Sequence, residues 1–132
     1  MKLQLEKEIF RHLSEVLDEK FKPMLVMGHT TDDRPKPYIS IDCEDEQPFG
    51  DLPPSAGVYE IPVNIAIADS AHDIDYETQE ERIFAIMEAL ENFESQDSAM
   101  QIYSFEFAEN PDARDDNNIG NVLHYEAIVQ FL

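Results

Sequence analysis

Basic side chains are scarce in this sequence: nine Lys and Arg stand against 29 Asp and Glu, a formal net charge of −20. They form no cluster beyond the first 36 residues, so a phosphate-gripping surface is not expected. A field of that sign repels free nucleic acid and anionic lipid. It favours solubility, a basic partner, or a wall past which DNA moves without sticking. Cysteine is nearly absent too. Cys43 stands alone, which excludes an intrachain disulfide and a multi-cysteine zinc site within one chain, and fits a reducing cytosol. The four glycines are isolated, so no glycine-rich phosphate loop can be assembled. No apolar run approaches the ~20 residues of a membrane span. The opening "MKLQLEKEIFRHL" carries charges throughout and does not read as a signal peptide. A soluble, intracellular chain without membrane contact is expected.

What is present suffices for a core. The apolar share is 42% over 132 residues, the size and composition of one domain, here residues 1–132. Leu5, Ile9, Leu13, Val16 and Leu17 recur at spacings of three and four, which predicts an amphipathic helix from about Leu3 to Lys20, stopped by Pro23. "MLVMGH" suits a short strand and "TTDDRPKP" a turn-rich loop. "YISIDC" alternates, with Ile39, Ile41 and Cys43 on one face. The Pro- and acid-rich "EDEQPFGDLPPSAG" reads as a long irregular loop, of the kind that binds or moves. "VYEIPVNIAIAD" points Ile61, Val63, Ile65 and Ile67 one way. Pro62 on its other face cannot donate, which predicts an edge or a bulge there.

From Thr78 the rhythm becomes helical, with Ile83, Ile86, Met87, Leu90 and Phe93 as a stripe and Thr78 and Glu81 at capping-box spacing. "MQIYSFEF" places Tyr103, Phe105 and Phe107 on one side. After "ENPDARDDNNIGN", the strand "VLHYEAIVQFL" aligns Leu123, Tyr125, Ala127, Val129 and Phe131. The order predicts an α+β fold: a mainly antiparallel sheet of about four to five strands with two amphipathic helices packed on one face.

The chemical signals are weak. His72 lies among Asp69, Asp73 and Asp75, where a strand gives way to a helix. Acids there meet the free N–H groups and the positive end of the helix dipole, and a metal or acid–base site would need ligands from elsewhere. The segment from Asp112 to Gly120 fails the EF-hand pattern in either register and reads as an Asn/Asp turn. Cys43 reads as a small buried thiol, and Ser55 and Ser70 lack a nucleophile elbow. No catalytic residue, metal or cofactor is expected. Bare strand edges and two long loops suggest an assembly part whose neighbours cover those edges. Tyr103, Phe105, Phe107 and Tyr125 suit a core first and an interface second.

The succession of an N-terminal helix, "GVYEIPVNIAIAD", "AHDIDYETQEERIFAIMEAL", "MQIYSFEF" and a closing "HYEAIVQFL" resembles the phage tail-terminator, tail-completion and head–tail neck proteins. That resemblance implies a non-catalytic virion subunit made in the host cytoplasm, in a ring that is usually six-fold. Such a ring stops tail-tube growth and joins the tail to the head connector, while DNA passes through the lumen without sequence-specific binding. Contacts would fall in Glu44–Gly57 (Glu44, Asp45, Glu46, Phe49, Asp51, Leu52) and in the Asp112–Asn121 loop (Asp112, Arg114, Asp115, Asp116), with Arg34 and Lys36 reserved for partners. Two other functions stay open: a small acidic protein-binding module, and a metal-assisted hydrolase built on His72 and Asp75.

Overall fold

The computed structural model describes residues 1–28, 37–68, 76–108 and 120–132. Among these residues, two helices, α1 (Lys2–Val16) and α2 (Tyr76–Leu90), accompany six strands: β1 (Leu25–Met27), β2 (Tyr38–Cys43), β3 (Gln47–Pro48), β4 (Val58–Ala68), β5 (Met100–Phe107) and β6 (Gly120–Phe131). The class is α+β, as expected, but the sheet is larger and mixed. Its strands run β1-β2-β4-β6-β5, with β3 paired to β4 outside that path. β1 lies parallel to β2, and the other pairs are antiparallel.

Register explains the single core. Ile39, Ile41 and Cys43 stand opposite Ile67, Ile65 and Val63, and Ile61, Val63 and Ile65 stand opposite Ala127, Tyr125 and Leu123. Alternation puts all of these on one face. Leu5, Ile9, Leu13 and Leu17 from the first helical segment, and Ile86 and Leu90 from α2, join them in one buried cluster. At roughly 25 cal/mol per Å² of apolar surface removed from water, this face is the main stabilising element of the fold. Between the helices, His12 donates from Nε2 to the Ala89 carbonyl at 2.6 Å and meets the Phe93 ring edge-on at 5.2 Å. His12 is therefore a helix-to-helix tie.

Five further sequence expectations are corrected by the structure. α1 ends at Val16, well before Pro23, because Leu17 is already extended (φ −67°, ψ 149°); Pro23 instead sits in a 3-10 turn over Lys22–Met24. Val16, the last helical residue, is 53% exposed rather than on the core stripe. α2 begins at Tyr76, so Thr78 lies inside its first turn rather than at the cap. The 44–57 stretch is not irregular throughout: it holds β3 and a 3-10 turn over Pro54–Ala56.

β4 is neither an edge nor bulged at Pro62. It is flanked by β6 along its whole length and by β2 and β3 on the other side. Pro62 falls in the gap between the end of β2 and the start of β3. Its carbonyl faces that gap and accepts the Glu44 N–H at 2.9 Å. The N–H and C=O of one strand residue point the same way, so the donor that proline lacks would have faced the gap as well. The ladder loses only the reciprocal bond to Glu44, where β2 has already ended, and none to β6.

The fifth correction is Tyr103. β5 shifts register between Ile102 and Ser104, a bulge that sets two residues against one on the partner strand. Alternation breaks there. Phe105 and Phe107 keep to the helix side, while Tyr103 turns to the opposite side, where its hydroxyl meets the Gln130 amide oxygen at 2.5 Å.

Candidate functional site

Three surfaces bear on function. The first is the hairpin over residues 44–57. β3 folds it back onto β4 through Gln47 opposite Glu60 and Pro48 opposite Tyr59, and Phe49 N–H bonds the Val58 carbonyl at 3.1 Å. Its base is tied twice to α1: Lys2 Nζ reaches Asp45 at 2.9 Å, and Glu6 accepts the Cys43 N–H at 2.8 Å. Asn64 donates to Glu44 at 3.2 Å. Phe49 and Leu52 are exposed at the tip beside Asp51. The hairpin thus offers two apolar side chains in an acidic setting, and brings together six of the residues expected to make contacts. Arg34, Lys36, Asp112, Arg114, Asp115 and Asp116 lie outside the described residues, as does the His72 cluster with Asp69, Asp73 and Asp75.

The second surface is the sheet face turned away from the helices. Cross-strand rows there read Asp42–Asn64–His124 and Pro62–Glu126–Glu106, with Glu60 opposite Ile128. Asn64 Oδ1 accepts from His124 Nδ1 at 2.6 Å, so that imidazole carries its proton on Nδ1 and is oriented by the amide. Glu106 and Glu126 stand directly opposite one another, both exposed. Like charges so placed cost stability. The face is acidic, with small apolar residues such as Ala66 between the charges. Among the described residues, no three His, Cys, Asp or Glu side chains are grouped to hold a metal ion.

The third surface escaped the sequence reading. Between α2 and β5 runs a groove of about 500 Å³ lined by Phe84, Met87, Glu88, Glu91, Phe105 and Phe107, with Tyr125 at its floor. Phe93, Phe105, Tyr125 and Phe107 form a continuous aromatic row, with centroids 5.0, 4.9 and 5.4 Å apart in turn. Burial raises the Tyr125 phenol to about 12, so it stays protonated at neutral pH. Phe84, by contrast, is 64% exposed. Of the aromatics expected to fill the core first, Phe105 and Tyr125 do so, whereas Tyr103 and Phe107 remain on the surface.

Cys43 is 1% exposed, and burial, then Glu6 and Asp42, push its thiol up. It is an inert core thiol rather than a nucleophile. Glu8 is the other carboxylate held by the fold: it accepts Gln96 N–H at 2.9 Å, Ser95 Oγ at 3.5 Å and Arg11 at 3.1 Å. Burial opposes its ionisation, but these donors together hold its carboxyl below the usual range. A carboxyl depressed by folding contributes fully above its unfolded value and loses that contribution as pH falls through the folded one. Urea titrations from about pH 5 to about pH 3 should therefore show the parent losing more stability than Glu8→Gln, the two curves converging at the acid end. Parallel curves would remove Glu8 from the acid response.

No helix among the described residues is long and apolar enough to cross a membrane. Compared with protein-family models the chain matches none, and it has no match among curated proteins.

Proposed function

We propose that this chain is a structural subunit of a phage tail-terminator or neck ring, which ends tail-tube growth and joins the tail to the head connector. The observation that carries this reading is the row of acidic residues on the sheet face turned away from the helices. Duplex DNA presents one negative charge per about 1.7 Å of axis. A lumen wall bearing Asp42, Glu60, Glu106 and Glu126 repels it along the whole path and leaves it free to slide. The 44–57 hairpin, with Phe49 and Leu52 at its tip, supplies the contact to the connector or tail tube. The subunit carries out no reaction in this reading.

The same charge governs assembly. Subunits of −20 repel over a screening length of about 10 Å at 0.1 M salt and about 3 Å at 1 M. Light scattering should therefore show a ring of near six times 15.2 kDa that gains population with ionic strength, or on adding the cognate tail-tube protein. A monomer under all of these conditions would sink the reading.

A second reading, an acidic protein-binding module without a ring, is favoured by the aromatic groove beside α2. It requires a chain that stays monomeric and captures basic proteins.

A further inference from the structure

The groove and the outer edge of β5 coincide. β6 N–H groups alternate between neighbours: Phe131 bonds Gly57 on the β4 side, and the His124 carbonyl accepts Ala108 N–H on the β5 side. Odd-numbered β6 residues therefore turn to β4. Phe105 and Phe107, opposite Ala127 and Tyr125, belong to pairs that share no backbone bonds, so their own N–H and C=O groups point outward. β5 ends the strand order, and among the described residues no other segment pairs with that edge. The side chains of the same two residues line the groove. A free backbone ladder and an aromatic seat thus lie side by side, which is what recognition by strand addition requires.

We propose that this edge docks an extended segment of a basic partner protein. The segment adds a strand to β5, seats an apolar side chain between Phe84 and Phe107, and sets Lys or Arg residues against Glu88 and Glu91. Charge selects the occupant. Glu88 and Glu91 line the groove and Glu106 sits on the strand itself, so a second copy of a −20 chain meets repulsion where a cationic segment meets attraction. Phe84 supplies the apolar anchor: an aromatic ring left 64% exposed on the rim of a groove is the composition of a binding centre. The seat is present in a single chain, so this docking does not rest on the ring.

The probe is a fluorescent peptide of roughly ten alternating lysines and valines, read by anisotropy and by amide exchange. Phe84→Ser should weaken binding about tenfold while leaving the unfolding curve in place, because the ring is mostly exposed. A peptide with prolines at its central valines should lose as much, since it cannot form the ladder. Exchange at Phe105 and Phe107 should slow when the parent peptide binds. Equal binding of the lysine–valine and proline peptides, with no effect of Phe84→Ser, would reduce the interaction to bulk charge and overturn the proposal. So would no binding at about 1 mM, or slowed exchange at the two amides on self-association without peptide. None of these results touches the light-scattering test of the ring, so the two ideas fail separately.

Discussion

Gly57→Val is expected to destabilise the protein by about 3 kcal/mol and to detach the 44–57 hairpin from the sheet. Gly57 sits at φ +70°, and a Cβ built there lies 2.9 Å from the Phe131 carbonyl oxygen. Two costs add. A β-branched residue in the left-handed region is strained by about 1–2 kcal/mol, and the close approach is to backbone, which cannot swing away. Relief would require the last turn before β4 to move from β6, breaking the 2.9 Å bond from Phe131 N–H to the Gly57 carbonyl. Gly50 is the control. It has φ +57° with nothing near its absent Cβ, so Gly50→Ala should cost only about 1 kcal/mol. Urea unfolding measures both. Amide exchange at Phe49, whose N–H bonds Val58, should quicken in Gly57→Val alone. Against a typical domain stability of about 5–15 kcal/mol the first change is large, and equal losses at the two glycines would show that the Phe131 contact is not limiting.

The hairpin's dependence on one glycine shows where the sequence was readable and where it was not. Two-residue alternation located β2, β4 and β6 well, because each buries one whole face and a slip of one residue would expose every isoleucine. The stripe Ile83, Ile86, Met87 and Leu90 located α2 for the same reason. What alternation cannot encode is an inserted residue: the bulge at Tyr103 leaves no mark in "MQIYSFEF". Pro62 misled for a different reason. Proline is a poor central-strand residue because it costs a ladder bond, and here that cost is one bond to Glu44, between the end of β2 and the start of β3, with the β6 side untouched. The groove was missed because a stripe describes only the buried side of a helix. Phe84, an aromatic off that stripe among Glu80, Glu81 and Glu88, was the available signal.

Charge links the three surfaces. An acidic sheet face, an acidic hairpin and an acid-rimmed groove make self-association costly at low salt and contact with cationic partners favourable. A ring of such subunits, as proposed, would need its charge neutralised to be stable. In the ring proposed above, assembly would then fall under the control of the tail tube or connector, and the proposed β5 docking would draw in a cationic segment that a neutral chain would not attract.

The second large effect is expected at Glu6, a carboxylate 3% exposed on α1 where the helical stripe alone would place a hydrophobe or a solvated acid. Its Oε1 accepts the Cys43 N–H at 2.8 Å, at the point where β2 ends and the hairpin begins. Glu6→Ala removes that acceptor and leaves a buried donor unpaired, a loss of about 1–3 kcal/mol, to which the vanished methylenes add about 1 kcal/mol. Glu6→Gln keeps an oxygen in place and should lose less than half as much. Urea unfolding separates the two. Cys43 offers an independent readout: its buried thiol should resist an aromatic disulfide reagent in the parent and in Glu6→Gln, and react faster in Glu6→Ala as the seam between α1 and β2 opens. Equal losses in both variants would mean that the charge at this position, rather than the backbone bond it accepts, holds the helix to the sheet; no loss in either would assign that role to the Lys2–Asp45 pair and the apolar stripe.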